Sequence, residues 1–314
     1  AETLAHTFAR RRPSPWITGL LAVGMVAWGW LPLSGRFYLR MELPTRAGFG
    51  VTPSFFPHGL PTFLEDIGFR GNVLNSNTLG GFLTFHRHPE SFPLTDGRWE
   101  IYDPGLVQGL LAATRTEGMW RGVAREFDVQ GILLAHTSPE ARAMLPDLAR
   151  DENWRLAYLD RAASFWLPAA ASKAAAVDPG GVLGTPPGRY EDAVLLAVFF
   201  EATGDSDLRV AALRQALPFA WRTTWILEQI GPLLIELQRY AEAEETYHRL
   251  VELEPANAGA LNELAFLSYV RGDLDRALGY IEEAVRLRPE DQEFRENLRR
   301  VTAARSPSGG DPRP

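Results

Sequence analysis

Cysteine is absent from the 314 residues of this chain. Disulfide staples, thiolate metal sites and thiol nucleophiles are therefore excluded. The absence fits an oxidising compartment without requiring one. Several motifs are missing too. No G-x-S-x-G elbow occurs, so a hydrolase triad has no anchor. Gly80-Gly81 lacks the remaining glycines of a dinucleotide loop, and no P-loop lysine follows it. Basic excess is missing as well. The net charge is −7 and the pI is near 5.5, whereas nucleic-acid binding draws on a basic stripe. His86 and His88, with Glu90 nearby, fall short of the three or four spaced ligands of a zinc site and read as solvated loop residues. Glu65 and Asp66 are adjacent, so on a helix they point apart. No cofactor is expected.

One long uncharged run is present, at Trp16 to Leu33. As a helix it spans about 27 Å at ~1.5 Å per residue, close to the ~30 Å bilayer core. Trp16 lies at one end and Trp28 and Trp30 near the other, where aromatics favour the interface. Arg10, Arg11 and Arg12 precede it, which predicts a cytoplasmic N-terminus. The run is longer than a secretory h-region, and Trp-Leu-Pro-Leu-Ser-Gly is a poor cleavage sequence. The expectation is an uncleaved single-pass anchor in a bacterial inner membrane. Residues 1–15 would form a cytoplasmic tail, and the bulk of the chain would lie in the periplasm, with the lipid bilayer as one partner.

Residues 34–168 alternate between strand and helix patterns. Ser54 to Ile67 reads as a helix, Asn72 to Asn75 as a strand, and Leu79 to His86 as a helix capped by Thr78. Ser91 to Thr95 reads as a strand, then Pro104 to Arg115 and Met119 to Phe127 as helices. VQGILLA at Val129 to Ala135 is the clearest buried strand. Ser138-Pro139-Glu140 opens a further helix. Trp154 to Leu159 and Ala162 to Leu167 read as a closing hairpin. The order predicts a three-layer α/β domain with a mainly parallel sheet and an antiparallel edge. At the strand ends, Asn75 and Asn77, Asp96 and Arg98, and His136 would converge on the carboxyl edge, where α/β folds place ligands. They form either a small polar pocket or a set of caps and turns.

The runs Pro53-Ser54-Phe55-Phe56-Pro57, Gly71-Asn72-Val73-Leu74-Asn75, Gly80-Gly81-Phe82-Leu83, Asp96-Gly97-Arg98 and Tyr102 resemble the extracytoplasmic C-terminal domain of bacterial multi-pass membrane proteins related to lipid-linked-sugar glycosyltransferases. The resemblance covers about residues 48–168. It implies an extracytoplasmic location and a fold. It carries no activity, because this chain has one candidate span and those enzymes have many.

Residues 169–188 are rich in Ala, Gly and Pro and read as a connector with little fixed structure. Beyond them a period of 34 emerges. Pro255 and Pro289, Tyr240 and Leu274, Ala243 and Ala277, and Leu253 and Leu287 repeat at that spacing. Full units begin at Thr224 and Ala258. A degenerate unit spans about Tyr190 to Arg222, with Gly204-Asp205 at its turn. Asp291 to Ala304 reads as a capping helix, and 305–314 as a disordered tail. This pattern resembles the tetratricopeptide repeat, a helix–turn–helix unit that buries its apolar face only by stacking. The expected architecture is thus a single N-terminal transmembrane helix (16–33), a three-layer α/β domain, and an all-α repeat domain over 189–304.

The inner face of such a stack comes from its first helices. Here that means Glu201, Trp225, Glu228, Ile235, Glu236, Asn262, Phe266 and Tyr269. Aromatics with scattered acids suit a peptide or helix from a protein partner. The sequence therefore predicts a non-enzymatic interaction protein that holds other subunits of a membrane complex, energy-transducing ones among the options. The rival expectation is a cell-envelope enzyme or sugar-binding module working through the strand-end pocket.

Overall fold

Five strands set the frame of a computed structural model that describes residues 55–97, 104–170, 177–219 and 223–305. Helix α1 (Leu60–Asp66) leads into β1 (Gly71–Asn75). Then come α2 (Asn77–Arg87), β2 (Ser91–Pro93), α3 (Pro104–Thr114), α4 (Trp120–Glu126), β3 (Val129–Ala135), α5 (Pro139–Leu148), β4 (Trp154–Leu159) and β5 (Ala163–Pro168). The strand order is β2-β1-β3-β5-β4. β1 pairs in parallel with both β2 and β3, whereas β5 runs antiparallel to β3 and β4. The parallel core with an antiparallel edge matches the sequence expectation. Helix α1 is shorter than expected because Pro61 sits in its first turn, where a missing N–H is tolerated, and Pro57 falls in the turn before it. Helix α2 starts after Ser76, so Thr78 is not its cap.

Side chains alternate across the sheet, as a pleat requires. Val73 and Leu133 face α1 and α2, where Leu60, Leu64, Leu79 and Leu83 bury with Phe165 and Leu167. Leu74, Ile132, Leu134 and Trp166 face the opposite way, onto Leu110, Trp120, Val123, Met144 and Leu145 from α3, α4 and α5. The domain is a three-layer sandwich.

Seven further helices follow among the described residues. They are α6 (Tyr190–Thr203), α7 (Ser206–Ala216), α8 (Thr223–Glu236), α9 (Tyr240–Leu253), α10 (Ala258–Arg271), α11 (Leu274–Leu287) and α12 (Gln292–Arg305). The turns within successive pairs recur at the repeat spacing. Gly204, Gln238 and Gly272 occupy those turns, and all three have positive φ: 80°, 57° and 85°. Asp205 and Asp273 then cap the second helices by accepting from Leu208 N at 3.0 Å and Arg276 N at 3.2 Å. Ala243 and Ala277 are fully buried. Among the described residues no helix is long and apolar enough to cross a membrane. The run from Trp16 to Leu33 lies outside the described residues, as do Arg98 and the tail 306–314.

The core does not stop at the end of the sheet domain. One apolar cluster runs from Ile132 and Trp166 through Tyr190, Leu196, Phe199 and Phe200 of α6 to Leu264 and Leu267 of α10. The connector is correspondingly more structured than its composition predicts. Asp178 caps a 3-10 helix at Pro179–Gly184. Val177 N donates to Leu156 O on the outer edge of β4 at 3.2 Å. Gln215 Nε2 donates to Leu183 O at 2.6 Å, and Val177, Val182 and Leu183 pack on the core. The expectation of a connector with little fixed structure is corrected for residues 177–188.

Candidate functional site

Helix α10 is held on two sides and open on a third. Asn257 starts it by accepting from Ala260 N at 3.0 Å, and Gly272 ends it in the left-handed conformation. Ala258, Leu261 and Ala265 bury against α11 and α12, while Ala260, Leu264 and Leu267 bury toward the preceding helices. Residues 262, 266 and 269 share the remaining face by their i, i+4, i+7 spacing. Helix α12 lies alongside, fixed by Phe294 and Val301, with Asp291 accepting from Glu293 N at 3.0 Å at its start.

Between these helices runs a groove of about 160 Å³. Phe266, Tyr269 and Val270 line one wall; Asn297, Arg300 and Val301 line the other, with Ala265 and Asn262 completing it. Asn297 Nδ2 donates to Asn262 Oδ1 at 2.9 Å and ties the walls together. Phe266 is 40% exposed, Tyr269 42% and Val270 48%. Arg300 pairs with Glu296 beside the groove. Glu263 stands next to Asn262, and burial first, then the charge of Glu293, pushes its carboxyl above the usual range against the opposing Asn262 bond. The space is below the ~300–1,000 Å³ of a typical small-ligand pocket. It suits one or two anchor side chains of a peptide.

Asn262, Phe266 and Tyr269, predicted from sequence, come together here. The other five, Glu201, Trp225, Glu228, Ile235 and Glu236, do not line this groove. Trp225 and Ile235 are half-buried and pack on the larger core. Glu228 is exposed and accepts from Asn257 Nδ2 at 3.0 Å. The wall formed by α12 escaped the sequence reading, which took that helix only as a cap. The repeat phase carried the signal, since Arg300 falls one repeat period after Phe266.

The strand-end residues do not form one open cleft. Asn75 is buried; its Nδ2 donates to Thr95 O at 2.7 Å and to Ser76 O at 2.9 Å, and its Oδ1 accepts from Thr95 N. The order places the switch point between β1 and β3, where ligands of open α/β sheets sit. Ser76 fills it. Its backbone N donates to Leu133 O at 2.8 Å, and its Oγ accepts from Ala135 N at 3.0 Å and meets Ser138 Oγ at 2.7 Å. A Cβ on Gly80 would stand 1.7 Å from Thr95 O, so α2 presses directly on this loop. The space left beside Asn75 and Thr95 is about 10 Å³. Asn77 begins α2, and Asp96 is half-buried beyond Thr95. His136 is buried elsewhere, its ring 4.9 Å from that of Phe199 on α6. Its ring nitrogens make no hydrogen bond of good geometry; backbone groups of Ala163, Arg161 and Leu195 are nearest. Burial drives its pKa down to about 3, so it is neutral. Two of the expected pocket residues are thus placed apart: Asn75 is bonded to Thr95 and Ser76, and His136 is buried against α6. Among the described residues no group of acids and histidines could hold a metal ion.

The tetratricopeptide repeat family model matches residues 234–300, from the end of α8 to α12. Solved structures that match part of the chain include "MamA RS-1 ArsTM double mutant", at 18% identity and TM-score 0.35, covering 40% of this chain and 70% of that one. "Crystal structure of MamA" matches at 15% identity and TM-score 0.35, over 40% and 73%. "First TPR of Spaghetti (RPAP3) bound to HSP90 peptide SRMEEVD" matches at 19% and 0.32, over 36% and 91%. No curated protein sequence matches the chain.

Proposed function

We propose that this protein is a membrane-anchored, non-enzymatic scaffold, a structural or assembly subunit of a larger bacterial inner-membrane complex, with its folded domains on the periplasmic side. The carrying observation is the groove between α10 and α12, where a repeat stack leaves Phe266, Tyr269 and Val270 exposed around a tied pair of amides. Such rings are unfavourable in water unless something covers them, and aromatics are enriched at protein interfaces. The partner segment offers an apolar anchor to the groove and basic residues to Glu228, Glu263 and Glu293 on this side of the stack. The uncharged run Trp16 to Leu33, with its leading arginines, supports the anchor and its orientation. A strand-end enzyme site is not favoured, because Ser76 and Asn75 close the crevice it would need.

Substituting Phe266→Ser and Tyr269→Ser together tests this reading. Gentle detergent extraction should recover several-fold less partner with the double variant, while its melting temperature changes little. If stability collapses and partner recovery follows the remaining folded fraction, the two rings are core and the reading fails.

A further inference from the structure

The groove between α10 and α12 has ends of opposite charge. Toward the C-terminal end of α12, Arg300 stands with Tyr269 and Val270. Two turns back on α12, Glu293 is exposed, and half-buried Glu263 on α10 feels its charge. Phe266 and Ala265 lie between, and the amides of Asn262 and Asn297 join at 2.9 Å toward the acidic end. Helix α12 continues to Arg305, about 8 Å past Arg300 along its axis. Beyond it the sequence reads Ser306-Pro307-Ser308-Gly309-Gly310-Asp311-Pro312-Arg313-Pro314.

We propose that Asp311 to Pro314 of this same chain seat in the groove, antiparallel to α12, and shield it until a partner displaces them. Reach allows it. Pro307 ends the helix, and Gly309 and Gly310 reverse the chain without a Cβ penalty. Ser306 to Gly310 extend about 17 Å, twice the distance back to Arg300. The order of charges fits as well. A segment returning along α12 meets the arginine end first and the acidic end second, and it presents Asp311 first and Arg313 second. Run the other way, both would face like charge. Each of these two residues precedes a proline, which holds it out of the helical region. The segment is thereby biased to the polyproline II form, whose three residues per turn set Asp311 and Arg313 on either side of Pro312. One flank serves each wall: Asp311 meets Arg300 on α12, and Arg313 meets Glu263 on α10. Pro312 then covers Phe266 and Tyr269, the kind of aromatic surface on which proline-rich segments dock at little entropic cost. Arg300 is available for this, since its pair with Glu296 is exposed on both sides and such pairs contribute little. The seating stands on the groove and the sequence; only displacement by a partner rests on the scaffold reading.

With no native cysteine to compete, disulfide closure reads the seating. In the full chain, Gly310→Cys is combined with Val270→Cys in the groove, or with Arg299→Cys, exposed on α12 and outside the groove lining. Oxidised glutathione should close the pair with 270 several-fold faster than the pair with 299. Arg300→Glu should slow closure at 270 to the rate at 299, and adding Asp311→Arg should restore it. Equal rates at the two positions, or a rate at 270 indifferent to Arg300→Glu, overturn the seating. Partner recovery after gentle extraction separates this proposal from the scaffold reading. Pro312→Ser with Pro314→Ser should raise recovery several-fold, and no rise overturns the shielding. If Phe266→Ser with Tyr269→Ser lowers recovery while the two closure rates are equal, the groove holds a partner and the tail proposal fails. If closure favours 270 but neither pair of serine substitutions changes recovery, the seating stands and the groove is not where a partner binds.

Discussion

Gly231 on α8 and Tyr247 on α9 show how single residues tune the repeat. A Cβ at Gly231 would sit 2.5 Å from Tyr247 Cζ, so the ring occupies the space a side chain would take. One repeat later, the same two positions are Ala265 and Ile281, both buried. A larger residue on one helix is matched by a smaller one on its neighbour, as close packing demands. Gly231→Ala should therefore cost on the order of 1–3 kcal/mol by overpacking. Adding Tyr247→Ile, which recreates the pairing of the next unit, should recover most of that loss. Chemical denaturation of the wild type, both single variants and the double variant measures the coupling. Strictly additive effects would mean that the helices do not cross where the repeat phase puts them.

At the scale of the element, the turns between paired helices differ in one residue. Gly204 and Gly272 take positive φ without a Cβ penalty, but Gln238 takes it at 57° with one. The mainchain pattern is kept, since Arg239 N donates to Leu234 O at 2.8 Å just as Asp273 N donates to Ser268 O at 2.9 Å. Gln238→Gly should thus stabilise the protein by about 1 kcal/mol, read as a rise in melting temperature. A fall would show that the Gln238 side chain contributes something the turn needs. Arg239 replaces the capping Asp of the other units, yet it is occupied. Its guanidinium reaches Asp207 and Glu242 at 2.7 Å, and with Arg214 it holds the Glu242 carboxyl down to about 2. Most elements were legible in the sequence because their signals are local. VQGILLA is β3 residue for residue, Ser138-Pro139 opens α5, and the repeat phase locates α9 and α11 at both ends. The 3-10 turn at 179–184 was not legible, since an Ala/Gly/Pro stretch has no periodicity and its order comes from β4 and α7. Half of the groove was legible for the same reason: Asn262, Phe266 and Tyr269 share one helix face, and Arg300 repeats the position of Phe266, whereas the approach of α12 to α10 that sets the second wall comes from packing.

Across the whole molecule, the sheet domain closes the first end of the repeat stack. Solenoids need their terminal faces covered. Helix α12 covers the last face, and the side of the sheet bearing Ile132, Leu134 and Trp166 shares one core with α6. His136 stands at this junction, against Phe199 but far from it in sequence, which is why a strand-end histidine read as a pocket residue. Its titration reports on the junction. Burial lowers its pKa from 6.5 to about 3, so between those values the unfolded chain binds the proton and the folded one does not. Stability from keeping it neutral is complete above pH 6.5 and is lost as pH falls toward 3. The slope approaches about 1.4 kcal/mol per pH unit, or about 2 kcal/mol between pH 6 and 4.5. His136→Leu removes the titrating group and keeps an apolar contact for Phe199. Over that interval its stability should fall by about 2 kcal/mol less than that of the wild type, as linkage requires when the titrating group is gone. If both lose stability in parallel, protonation of His136 is accommodated without opening the junction, and the sheet domain and the repeats are less tightly joined than their common core implies.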